Sequence, residues 1–220
     1  MTPLRGAKAY DFIAVNTTVA SPSLLPEMKL HLATEITPIW QASEVALQQA
    51  NIPPPFWAFA WAGGQALARH VLDCPRDHWA NRRVLDFGAG SGLVGIAAAM
   101  AGARLVRAAE IDPVACAAIG LNAELNDVEI EIVEEDVIDR DPAVDIILVG
   151  DMCYEKPLAE RLIAWLRPLA GRGIEVWIGD PGRTYRPTHG LAEIARYMVP
   201  TSLELEDRET REGIVWKLLP

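Results

Sequence analysis

The chain has 220 residues, half of them hydrophobic and 23% charged, a balance that suits a domain with a real core and excludes dominant disorder. Thirty acidic against twenty basic residues give a net charge of −10, which argues against nucleic acid as the main partner. The three cysteines share no motif spacing and read as reduced thiols rather than a disulfide framework.

The longest apolar run, Val94 to Leu105, carries Arg104 and is too short to cross a bilayer. Near the start, Arg5 and Lys8 are followed by Asp11 with no clean apolar run, so no secretory signal is read and the expected location is cytoplasmic, away from membranes.

In chain order, Met28, Leu30 and Leu32 alternate with Lys29, His31 and Ala33, a short strand signal. Pro38 opens a helix-like run to Ala50, and Pro53, Pro54 and Pro55 then stop any helix. Residues 1–54 are therefore expected as an extension packed on a main domain of residues 55–220. Strands are predicted at Arg83 to Phe87, Leu105 to Ala109, Glu129 to Val133, Val144 to Val149 and Ile174 to Ile178. Helices are predicted at Leu93 to Ala101, Pro113 to Leu125 and Pro157 to Ala170. The second has Pro in its first turn and places Val114, Ala118, Leu121 and Leu125 on one face. A short helix at Leu191 to Met198 and a hairpin of Ser202 to Glu206 with Ile214 to Leu218 complete the pattern. This βαβ alternation predicts an α/β fold with a doubly wound, mostly parallel sheet and ligands at the carboxyl ends of its strands.

The most informative segment is Val84-Leu-Asp-Phe-Gly-Ala-Gly-Ser-Gly-Leu-Val-Gly95. Gly90, Gly92 and Gly95 satisfy G-x-G-x-x-G between a predicted strand and helix, and the generic reading is a dinucleotide site. Asp86, two residues before Gly88, separates two ligands. A carboxylate there repels a pyrophosphate and suits S-adenosylmethionine, which carries an ammonium and a sulfonium but no phosphate. Glu110 ends the next predicted strand, where an acid accepts from ribose hydroxyls. Ile111 can cover one face of adenine, and Asp136 can accept from its amino group, although Glu134 and Glu135 make an acidic solvated face the plainer reading there.

With these residues the sequence resembles the class I, seven-strand Rossmann-like methyltransferases over residues 55–220. The loop containing Asp86, Gly88, Ala89, Gly90 and Gly92 looks like their first motif, and Ala109-Glu-Ile-Asp-Pro113 their second acidic position. Asp151-Met-Cys-Tyr154 has the acid-then-tyrosine spacing of enzymes that methylate planar nitrogens, but Met152 and Cys153 stand in place of two prolines. This form resembles the protein-lysine branch.

Residues 55–69, 26–32 and 178–183 are similar to segments of the electron transfer flavoprotein beta-subunit lysine methyltransferase family. Ala62 departs from the Trp-Pro-Gly-Gly pattern expected there. The resemblance implies a methyltransferase of lysine side chains on that subunit; apart from it, no nucleic-acid or membrane partner is expected, and the chain is expected as a monomer. It implies that Trp61, Gly63 and Gln65 line the cofactor pocket. Asp151 would orient the incoming amine, and Tyr154 would wall the lysine channel. Trp57 and Phe59 read as packing.

The four histidines are dispersed, no metal site is expected, and Cys153 lacks a supporting base. Other readings stay open: a methyltransferase of a ribosomal protein or a small amine, or a non-catalytic module that binds S-adenosylmethionine. A NAD dehydrogenase is disfavoured by Asp86.

Overall fold

The computed structural model describes residues 4–34, 39, 54–201 and 208–220. Seven strands form one sheet in the order β5-β4-β3-β6-β7-β9-β8. They are β3 (Arg83–Phe87), β4 (Leu105–Ala109), β5 (Glu131–Val133), β6 (Ile146–Gly150), β7 (Glu175–Asp180), β8 (Leu191–Pro200) and β9 (Thr210–Leu218). β5, β4, β3, β6 and β7 are mutually parallel, and β9 runs antiparallel between β7 and β8. The order reverses beside β3, so the carboxyl ends of β3, β4 and β6 diverge and leave a crevice for a ligand.

Both faces of the sheet are covered, as a parallel sheet requires. In β6, Ile146 and Leu148 join a core with Leu67, Val71 and Ile96, from helices α2 (Ala62–Asp73) and α4 (Leu93–Met100). Ile147 and Val149 point the other way, onto Leu162 and Leu166 of α6 (Lys156–Gly171). This two-residue alternation explains why every residue of β6 but its last is buried. Helix α3 (Arg76–Trp79) is one turn before β3. Helix α5 (Pro113–Leu125) starts where expected: Pro113 sits in its first turn, and the Asp112 carboxylate accepts from the Val114 N–H at 2.8 Å.

The segment before the prolines shares this core. Leu25, Met28 and Leu30 are fully buried beside α2 and α4. Helix α1 (Ala7–Asn16), for which no sequence signal was read, places Ile13 against Val114 and Ala118 of α5. Strands β1 (Thr18–Ala20) and β2 (Leu30–Leu32) form a separate antiparallel pair.

One predicted element is wrong. Leu191–Pro200 is strand β8, not a helix, and its partner is β9. A bulge between Glu193 and Ala195 shifts the strand's alternation by one residue, so that Leu191 packs on one face of the sheet and Ala195, Tyr197 and Val199 on the other, while Met198 is exposed. The expected strand Ser202 to Glu206 lies outside the described residues, as does the run Pro38 to Ala50 apart from Ile39. Among the described residues, no helix is long and apolar enough to cross a membrane.

Candidate active site

A cavity of about 500 Å³ opens at the carboxyl ends of β3, β4 and β6, within the size range of small-molecule sites. Its floor is the glycine loop. Gly88, Gly90 and Gly92 have φ of +63°, +53° and +81°, conformations that residues with a Cβ rarely adopt. A Cβ at Gly88 would also stand 2.5 Å from the Met152 sulfur, so the loop is closely fitted to the end of β6. Gly88 and Gly90 line the cavity, whereas Ala89 and Gly92 lie behind them, Gly92 as the N-cap of α4.

Asp86 does not reach this cavity. It is 1% exposed, and its Oδ2 accepts from the Gly95 N–H at 2.8 Å beneath the loop. Burial pushes its carboxyl up to about 7, against the effect of the Gly95 hydrogen bond, and the nearby Glu110 charge adds to the rise. The expectation of a carboxylate facing the ligand's cation is therefore corrected. Asp86 supports the turn from β3 into α4.

Glu110 is in the cavity wall. Its Oε2 accepts from Gly90 N–H at 2.9 Å, and its Oε1 from Ile111 N–H at 2.7 Å and Asp112 N–H at 3.0 Å. One carboxylate thus ties the glycine loop to the end of β4. Ile111 stands exposed on the same wall. Asp136 also lines it, but it accepts from Ile138 N–H at 3.0 Å and pairs with Arg161 at 3.0 Å. The Ile138 hydrogen bond, more than the Arg161 contact, holds its carboxyl below the usual range.

The opposite end of the cavity is formed by the residues after β6. Asp151 has φ +59°, strained for a residue with a side chain, and is 6% exposed. Its Oδ2 accepts from the Gly63 N–H, at the start of α2, at 2.9 Å. Its Oδ1 pairs with Arg183 Nε at 2.6 Å. Tyr154 lines the cavity and is 40% exposed, its ring centroid 5.7 Å from that of Phe56. Burial raises the Tyr154 phenol, which stays protonated as a donor. Trp61 stands beside Phe56 and Phe59, and its indole N–H donates to the Phe56 carbonyl at 2.9 Å.

Gln65, expected in this pocket, is instead buried away from it. Its amide accepts from Ser23 and Leu24 and donates to the Ala60 carbonyl, which ties the N-terminal segment to α2. Gly63 contributes its N–H to Asp151 rather than a surface to the pocket wall. Burial pushes the Cys153 thiol up to about 12, which removes it as a nucleophile. Arg183 and Phe56 line the cavity but carried no sequence signal of their own. Both lie in segments noted for family resemblance, residues 178–183 and 55–69, and Phe56 follows the proline run.

The site fits S-adenosylmethionine. Its wall carries the carboxylates Glu110, Glu135 and Asp136, acceptors for ribose hydroxyls and an adenine amino group, and its two arginines, Arg161 and Arg183, pair with the carboxylates Asp136 and Asp151. Comparison with known proteins decides the family. A family model for ribosomal protein L11 methyltransferase (PrmA) matches residues 71–151. The electron transfer flavoprotein beta subunit lysine methyltransferase of Danio rerio is 38% identical, over 94% of this chain and 82% of its own. That of Homo sapiens is 36% identical, over 99% of this chain and 87% of its own.

The chain belongs to this lysine methyltransferase family. It is an enzyme that uses S-adenosylmethionine as methyl donor. The fold agrees with that of magnesium protoporphyrin IX methyltransferase from Synechocystis PCC 6803, solved with bound S-adenosylhomocysteine. That structure has a TM-score of 0.51 and 17% identity, covering 83% of this chain and 91% of its own. Among the described residues, no group of three or more metal-ligating side chains could hold a metal ion.

Proposed function

We propose that this methyltransferase modifies lysine side chains of the electron transfer flavoprotein beta subunit. The observation that carries the reading is the similarity to relatives of that name along almost the whole chain, including the acceptor end of the cavity. The match to the L11 methyltransferase model stops at Asp151, so it covers the glycine loop and leaves Tyr154 and Arg183 outside.

In this reading Gly88, Gly90, Glu110, Ile111 and Asp136 hold the cofactor, whose sulfonium supplies an already activated methyl. The acceptor enters past Phe56, Trp61 and Tyr154, whose rings pack on the aliphatic stem of a lysine. Asp151 receives the amine by a hydrogen bond and aims its lone pair, so most of the catalysis is positioning. Neither a covalent intermediate nor a metal is needed.

The test is transfer of labelled methyl to purified flavoprotein beta subunit by the wild type and by Asp151→Ala, alongside binding of S-adenosylmethionine to both. Asp151→Ala is expected to keep cofactor binding and to lose about 100-fold or more in transfer, the scale of a misplaced acceptor. Full activity of the variant would remove Asp151 from the mechanism. A wild type inactive on the flavoprotein but active on a small amine would replace the substrate assignment.

A further inference from the structure

We propose that Arg183 is a positioning residue for methyl transfer: it holds and neutralises the Asp151 carboxylate, so that the acceptor lysine is received as an uncharged amine. This rests on the amine-orienting role of Asp151 given above. The Arg183 guanidinium is 2.6 Å from Asp151 Oδ1 and 5.8 Å from the Trp61 ring centroid, with its side chain only 20% exposed.

The arginine is placed by a built turn. Oδ1 of Asp180, at the end of β7, accepts from the Gly182 N–H at 2.7 Å and from the Arg183 N–H at 2.9 Å, and Gly182 has φ +92°. Asp180 has its own cation, Arg186, at 3.4 Å, and that guanidinium lies 4.5 Å from the centroid of the Trp216 ring. At the ends of β6 and β7, Arg183 thus pairs with Asp151 and Arg186 with Asp180. Among the described residues, the other groups facing Asp151 are the Gly63 N–H from α2, the Asp180 carboxylate at the end of β7, and Cys153 and Tyr154 from its own loop. None of these is a cation, so Arg183 supplies the neutralising charge.

The chemistry requires such a charge. A lysine is protonated at neutral pH, its free pKa being about 10.4, and an ammonium has no lone pair with which to attack. A bare buried carboxylate would form an ion pair with the ammonium and hold its proton more tightly. A carboxylate already paired with a guanidinium still accepts an N–H hydrogen bond. The fixed cation beside it favours the uncharged amine, as neighbouring cations do for nucleophilic lysines. The ammonium gives its proton to water. The freed nitrogen pair then forms the N–C bond as the methyl–sulfur bond breaks, and that bond's electrons stay on sulfur.

The experiment measures initial rates against pH for the full chain with S-adenosylmethionine and purified flavoprotein beta subunit. Wild type, Arg183→Gln and Arg183→Lys are compared. In Arg183→Gln the rising limb of kcat should move up by about one pH unit or more, with KM for the flavoprotein unchanged or lower. Arg183→Lys, which keeps the charge, should bring the midpoint back. A reduced rate with an unmoved midpoint, or a rise in KM alone, would overturn the proposal.

A measurement on the wild type is independent of how the variants fold. With S-adenosylhomocysteine present, the flavoprotein should bind more tightly near pH 9 than near pH 7, and equal or weaker binding would overturn capture of the neutral amine. If Asp151→Ala is fully active, the reading of Asp151 falls. If it is inactive while Arg183→Gln keeps the wild-type profile, only the role of Arg183 falls.

Discussion

Asp86 shows how one residue can be chosen correctly and placed wrongly. The sequence marks an acid at the end of β3, but it does not reveal which way the side chain turns. Packing decides that the carboxylate goes under the loop to the Gly95 N–H. Its folded pKa lies near 7, against an ordinary value of 3.8, so between these values the native state binds more protons than the unfolded one. Wild-type stability should therefore fall as pH rises through that window. Asp86→Asn keeps an acceptor for Gly95 and cannot ionise. Thermal melting should show its advantage over the wild type growing as pH rises from about 5 to about 8; a constant gap would contradict the buried titration. Glu110, by contrast, lies on the cavity wall as expected. Glu110→Ala should weaken S-adenosylmethionine and S-adenosylhomocysteine by a similar factor in calorimetric titrations, since a ribose contact is shared by both.

At the scale of elements, legibility followed local signals. β3 and α5 matched their predicted bounds because apolar run, glycine turn, proline and N-cap all agree there. α2 gives little warning: right after Ala62 it carries Gly63 and Gly64, poor helix formers in isolation. Tertiary packing explains these glycines. A Cβ on Gly179 of β7 would stand 2.2 Å from the Gly63 carbonyl oxygen, and one on Gly63 would stand 2.5 Å from the Gly179 carbonyl oxygen. Helix and sheet meet backbone to backbone, which also brings the Gly63 N–H to Asp151. Gly179→Ala should therefore cost about 3 kcal/mol or more in urea unfolding, at the upper end for overpacking, because the clash is with backbone and no side chain can move aside. β8 is harder to read although its partner, β9, follows it directly in the chain, because the bulge between Glu193 and Ala195 breaks its two-residue alternation.

Across the whole molecule, Glu175 joins three strands at the edge of the sheet opposite the cavity. It sits at the start of β7, accepts from Arg82 just before β3 at 2.5 Å and from Lys217 of β9 at 2.7 Å, and also receives the Trp177 indole N–H at 3.1 Å. Burial alone would raise its carboxyl, but these three hydrogen bonds outweigh burial and hold it down at about 2. Because the folded value is depressed, its stabilisation is present above the ordinary 4.5 and is lost as pH falls toward 2. Glu175→Gln should cost about 1–3 kcal/mol at neutral pH and much less near pH 3, read from chemical denaturation at both. An equal cost at the two values would show that packing, not charge, is what Glu175 supplies.

The strand order β7-β9-β8 also constrains synthesis on the ribosome. β9 lies between two strands that are translated before it, and β8 pairs with β9. Until β9 has emerged and inserted, β8 has no strand to pair with, and β7 presents a bare edge with the turn that carries Arg183. Ribosome-bound chains that stop before Thr210 should thus hold an unfinished acceptor end beside an already assembled glycine loop. Such an edge invites pairing with other chains, and it stays exposed until β9 inserts between β7 and β8.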